Sequence, residues 1–283
     1  MGALETIAKV GLYATLLTLV GTVAARWLLQ TSGSTTTTEA VGPRRRLARI
    51  GLTAGALLLA CLVFRLLTHT AAVFGSAEGP GADLADALSG EHLSIVAFSS
   101  RWGRGWRAQT TASIVSLLTS IWAVRRPGSW TLVAATVAAA LLACTFPLVG
   151  HAAGAWAREA LAVAHVLGAG LWLGTLTALV LTGHQGALWE RFSRMAFAGA
   201  TAVAVTGLTM AGLYLGTPAN LLTTPYGQLL ALKIGVAMAI GGCGYLNWRH
   251  ARVGGQPPTA RIETLLAAVI VVVTAFLTEM AHP

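Results

Sequence analysis

The sequence predicts an all-α fold: a polytopic transmembrane helix bundle of about eight spans, both termini outside, forming a single domain over residues 1–283. Three observations predict it. The chain is 55% hydrophobic and only 10% charged, too little charge to cover a globular surface, since soluble domains carry roughly 25% charged residues. Apolar runs near the roughly 20 residues that a bilayer requires recur along its whole length. The basic residues behind the net charge of +9 gather in short connections between those runs, the topology signal of membrane proteins. They do not form a continuous basic face, so nucleic acid is not an expected partner; the lipid bilayer is.

The spans are expected at about 4–29, 47–70, 107–124, 129–149, 156–182, 192–215, 226–248 and 261–281. The first is too long for a signal-peptide core, and Glu5 and Lys9 are poor features for the segment preceding one. Strands are excluded because these runs are too long and too continuously apolar for a lipid-embedded barrel. The first connection carries Arg44, Arg45, Arg46 and Arg49, the third Arg125 and Arg126, the fifth Arg191 and Arg194, and the seventh Arg249, Arg252 and Arg261. By the positive-inside rule these odd-numbered connections are cytoplasmic. The second departs in part: Glu78, Asp83, Asp86 and Glu91 suit the outside, whereas Arg101, Arg104 and Arg107, beside Trp102 and Trp106, suit the interface.

Two connections are distinctive. Residues 30–46, around "TSGSTTTTEAVGPRRR", read as a low-complexity cytoplasmic linker. Residues 71–106 read as an acidic outer loop, long enough for a short surface helix. The glycines at 168, 170 and 174 and at 241, 242 and 244 have the small-residue spacing that lets helices approach closely. The three cysteines lie in apolar segments without CxxC spacing, so they read as packing residues and no disulfide is expected.

Four of the seven histidines map to the outer side: His69, His92, His151 and His282. His165 lies inside the fifth span, where a neutral imidazole must still satisfy a donor and an acceptor. It therefore reads either as hydrogen-bonded to a Thr, Tyr or carbonyl, or as a metal or haem ligand. Met210 is expected at a similar depth in the sixth span; thioether suits cuprous copper and imidazole either oxidation state. Glu279 and His282 are three apart, one helical face if the helix continues, and such a pair can share a metal. Arg65, in the stripe Cys61, Arg65, His69, and Lys233, in the seventh span, are ionisable groups that should face the bundle and pair. Glu279 is the expected partner of one of them.

From Arg191 on, residues 191–283 resemble the membrane domain of the copper resistance protein D family. The likeness runs through "RFSRMAFAGATAVAVTGLTMAGLYLG", "YGQLLALKIGVAMAIGGCGYLNWRH" and "ETLLAAVIVVVTAFLTEMAHP". It rests on Arg-Phe-Ser-Arg, the pair Thr206 and Gly207, Tyr226-Gly227 with Lys233, and Asn247 before a basic end. "RWGRGWRAQ" and "HVLGAGLWLGTL" extend it over most of the chain. The resemblance implies an eight-helix inner-membrane protein for copper uptake or tolerance, working beside a periplasmic copper carrier, and draws attention to His151 and His165.

The expected function is copper transport across the inner membrane by exchange between ligands, with the outer-face histidines His69, His151 and His282 receiving the ion with help from the acidic loop, Glu279 as a candidate ligand beside His282, and His165 with Met210 forming a deeper site. The alternative is a b-type haem protein, with His165 and either His151 or His69 as axial ligands. A copper-binding scaffold or sensor is a third. There is no phosphate-binding loop, no CPC sequence within a span and no Ser-His-Asp or Cys-His arrangement, so neither ATP-driven pumping nor an enzyme is expected.

Overall fold

The computed structural model describes residues 2–31, 37–75, 84–149, 154–183, 187–251 and 258–280. Every regular element among them is helical. The long helices are α1 (Gly2–Gln30), α2 (Thr37–Gly75), α5 (Arg101–Arg125), α6 (Ser129–Thr145), α9 (Ala187–Leu215), α11 (Pro225–Ala251) and α12 (Ala260–Leu277). The fifth expected span is a composite: α7 (Trp156–Ala169), a π-turn (Gly170–Gly174) and α8 (Thr175–Thr182). Short helices α3 (Leu84–Ala87), α4 (Gly90–Ser94) and α10 (Asn220–Thr223) lie in connections.

Seven described helical stretches are long and apolar enough to cross a membrane. The expected third span, α5, does not reach that hydropathy, although its 25 residues suffice in length. Its buried stripe is Gly105, Gln109, Ser113, Ser116 and Ser120. The hydroxyls of Ser113, Ser116 and Ser120 donate to carbonyls one turn back, so these hydroxyls are satisfied within the helix, while Gln109 Nε2 donates to the Thr145 carbonyl of α6 and small residues admit α2 and α6. In lipid the apolar side of a helix need not be its buried side, and packing relies on small residues.

The helices alternate in direction. One end of the bundle carries the start of α1, the end of α2, the start of α5 and the residues after α12, joined by Lys9–Glu279 and by His69 stacked on Trp102. The opposite end is arginine-rich. There Leu47, Leu176, Leu188, Trp189 and Ala260 form one apolar cluster, and Arg26 reaches Thr131. Between the ends, Leu12, Leu16, Leu58, Leu62, Leu132 and Leu142 form the core of α1, α2 and α6.

The expected linker is shorter than 30–46, because α2 starts at Thr37. A nucleated helix propagates cheaply into residues that would not start one, and here Arg46 donates to the Thr182 carbonyl at 3.1 Å. The 71–106 loop likewise contains α3, α4 and a π-turn (Ile95–Ser99). Arg107 donates to the Ala97 carbonyl of that turn and covers the Phe98 ring, which gives this basic residue a structural post beside an acidic loop.

Glycine packing is as expected at one end of the sequence and not at the other. A Cβ on Gly174 would collide with the Leu17 carbonyl, and one on Gly21 with Gly174 itself. Here α1 and the π-turn touch backbone to backbone. A Cβ on Gly168 would likewise stand only 3.0 Å from the Gly199 carbonyl. A Cβ on Gly241 or Gly242, by contrast, would meet nothing within 4 Å, and only one on Gly244 of that trio would meet a neighbour, Glu263. All three cysteines are free.

Candidate functional site

His165 is carried by α7, whose start is fixed by an extended Ala155 and by Gly154 N–H donating to Glu159 Oε1 at 2.7 Å. Nine residues on from Trp156, the imidazole sits roughly 13 Å along the helix. Its Nδ1 lies 3.0 Å from Thr206 Oγ1 on α9. The direction of that hydrogen bond follows from Thr206. Its hydroxyl donates its one proton to the Ala202 carbonyl at 2.6 Å, so toward His165 it is an acceptor. Nδ1 therefore carries the ring proton, and the Val203 carbonyl nearby is a second acceptor for it. In that tautomer Nε2 bears the lone pair, the form in which an imidazole binds metal.

The neighbouring residue makes room. A Cβ at Gly207 would stand 3.3 Å from His165 Cε1 and 3.7 Å from Nδ1, so the Thr206-Gly207 pair is a seat: one residue orients the ring and the other admits it. Met210 is four residues beyond Thr206 and thus one turn along the same face of α9. Lys233 of α11 is close enough to act electrostatically on His165. It does not serve as the partner of Glu279.

That partner is Lys9. Its ammonium forms the ion pair with Glu279, with side-chain exposures of 11% and 29%. Sequence reasoning set Lys9 aside because it treated α1 alone, whereas α1 and the end of α12 meet only in the folded bundle. Arg65 is 7% exposed, so it faces the bundle as expected. It sits 5.6 Å from the Trp102 ring centroid and approaches the Val149 carbonyl at 3.5 Å. Tyr13, Glu5 and Glu279 lie within electrostatic range of it. One helical turn on, His69 stacks on the same Trp102 at 4.1 Å and 15°. His92 stacks on Phe74 at 3.8 Å and holds the Asp86 carbonyl with Nδ1 at 3.0 Å.

The described outer histidines are thus packed against aromatic rings and do not converge. Among the described residues, no three His, Cys, Asp or Glu side chains gather closely enough to hold a metal together. Of the expected Glu279–His282 pair only Glu279 is described: α12 ends at Leu277 and Glu279 lies in the following turn. Glu279 is also committed to Lys9. His151 and His282 lie outside the described residues.

One buried group escaped the sequence reading. Glu263, 2% exposed, accepts from Asn247 Nδ2 at 2.7 Å and from the Trp172 side chain. The other end of the Asn247 amide accepts from Thr259 N–H at 3.0 Å and Thr259 Oγ1 at 2.8 Å. This network ties α11, α12 and the π-turn together, and it gives the Asn247 noted in the sequence its reason. The signal for Glu263 was available, namely an acidic residue just inside an apolar run.

Comparison with known proteins matches residues 2–159 to the family described as "Copper resistance protein D-like, N-terminal domain" and residues 186–277 to "Copper resistance protein D". The chain is 25% identical over 250 residues to the "Copper transport protein CutJ" of Bacillus subtilis (strain 168). That alignment covers 81% of this chain and 44% of the relative, so the chain spans less than half of that protein's length. No solved structure matches. With one family description covering more than half of the chain and a second covering most of the remainder, a multi-pass, copper-related membrane protein is established: the chain belongs to the copper resistance protein D family.

Proposed function

We propose that the protein carries copper across the cell's inner (cytoplasmic) membrane, with His165 as the intramembrane ligand. The carrying observation is the hydrogen bond between Nδ1 and Thr206, which leaves the Nε2 lone pair for an ion; Met210, one turn beyond Thr206 on α9, is the proposed second ligand. An imidazole and a thioether suit cuprous copper. The arginine-rich end faces the cytoplasm, by the positive-inside rule, so α5 completes eight spans and both termini are outside. Lys233 opposes the build-up of a second positive charge beside His165 and so favours release over retention. The ion passes by ligand exchange, without bond chemistry, and arrives from a carrier protein on the outer side. Because His69 is stacked and Glu279 is paired, initial capture falls mainly to His151 and His282.

The test is copper content, an optical spectrum and copper flux into proteoliposomes for the wild type, His165→Ala and Met210→Leu. The expected result is a colourless protein whose copper affinity and flux fall at least about tenfold in His165→Ala, as on losing one ligand interaction. A Soret band lost in His165→Ala would put haem in the place of copper. Bound copper with no flux would make the protein a scaffold or sensor.

A further inference from the structure

A second feature lies at the opposite end of the molecule from the outer histidines. Gly42, Pro43, Arg45, Arg46, Arg49 and Thr182, with Gly183, line an open cavity of about 550 Å³, within the size range of small-ligand sites, roughly 300–1,000 Å³. Three arginines border it. A fourth, Arg44, has its Nε buried with no hydrogen-bond partner among the described residues, and it lies close enough to Arg26 to repel it. The ion pair Lys9–Glu279 is the one found among the described residues, and it is at the other end. This arginine group therefore holds positive charge that no described carboxylate offsets.

The fold holds these cations together. Arg46 is held by the Thr182 carbonyl at the end of α8, and its positive charge there offsets the negative pole of that helix terminus. Gly183, at φ 65°, turns the chain away, and a Cβ there would meet nothing within 4 Å. Arg45 and Arg49 are one helical turn apart on α2 and project from the same face. Two guanidinium forks at that spacing match the oxygens of a phosphate, which arginine binds bidentately.

We infer that this cavity is a binding site for a phosphate-bearing anion, supplied either by the headgroup of an anionic phospholipid or by free phosphate. It stands where the span Gly42–Gly75 begins and the span Trp156–Thr182 ends, and basic pockets between spanning helices suit such headgroups. The inference does not depend on copper.

The test uses the full chain in nanodiscs of phosphatidylcholine alone, of phosphatidylcholine with phosphatidylglycerol, and of phosphatidylcholine with added inorganic phosphate. Thermal unfolding is followed for the wild type, for Arg45→Gln/Arg49→Gln, and for Arg125→Gln/Arg126→Gln, which removes two charges from a different connection. The expected result is a rise in the wild-type midpoint with anion, weakened by salt, and about a tenfold loss of apparent affinity in Arg45→Gln/Arg49→Gln alone, in line with losing charge-assisted hydrogen bonds. A rise with phosphatidylglycerol only identifies the lipid as the source; an equal rise with inorganic phosphate identifies the free anion. No rise with either, or equal losses in both double variants, overturns the site.

Discussion

Replacing Thr206 by Val separates the orienting role of its hydroxyl from its bulk. The two side chains are close in size, so the seat beside Gly207 is kept, but the acceptor 3.0 Å from His165 Nδ1 is lost. The Ala202 carbonyl, which Thr206 Oγ1 also engages, keeps its backbone partner in the helix. Leaving a buried N–H unsatisfied costs about 1–3 kcal/mol. The ring escapes part of that cost by turning Nδ1–H to the Val203 carbonyl or by moving its proton to Nε2. Either change misplaces or removes the Nε2 lone pair. Loss of such an orienting partner typically lowers metal affinity about 10- to 100-fold, equivalent to about 1.4–2.7 kcal/mol. The assay is competition for cuprous ion against a chromogenic chelator, under anaerobic conditions, with detergent-purified wild type, Thr206→Val and Thr206→Ser. Serine retains the hydroxyl and should restore most of the affinity. Wild-type affinity in Thr206→Val, or the same loss in both variants, would refute the reasoning, since neither fits a tautomer held by the hydroxyl. Thermal midpoints of the metal-free proteins control for simple destabilisation.

Two further outcomes follow from packing and charge. Lys9→Met should destabilise the fold by about 1–3 kcal/mol, less than the full cost of orphaning a deeply buried charge because Glu279 is partly exposed and Arg65 remains near it; a double-mutant cycle with Glu279→Gln should return a coupling above about 0.5 kcal/mol, and a smaller value means that the pair contributes only locally. Gly174→Ala drives a methyl group into the backbone of α1 at Leu17 and should cost at least the usual 1–3 kcal/mol of overpacking, whereas Gly241→Ala, with open space around it, should be neutral or stabilising by up to about 1 kcal/mol through helix propensity; equal unfolding midpoints for the two variants would contradict the close approach of α1 to the π-turn.

The sequence by itself determined the helical, membrane-spanning class, because in a bilayer hydropathy and backbone satisfaction leave few other solutions. Run length and arginine placement located the helices, whose ends differ from the expected ones by up to about six residues, apart from α2, which starts ten residues early at Thr37. The sequence also singled out His165, since an imidazole inside an apolar run requires partners wherever it folds. It did not say which partners. That Thr206 accepts from Nδ1, that Gly207 leaves the space, and that Lys233 stands by His165 and not by Glu279 are contacts between α7, α9 and α11, far apart in the chain. The Lys9–Glu279 pair joins the first helix to the last residues described, and no local pattern encodes it. Likewise, the stripe Gly241, Gly242 and Gly244 has the same spacing signal as Gly168, Gly170 and Gly174, yet only the second set lies wholly against other helices. Periodicity reports which residues share a face of one helix; which face meets which neighbour is set by packing the whole bundle at once, and that is decided only in three dimensions.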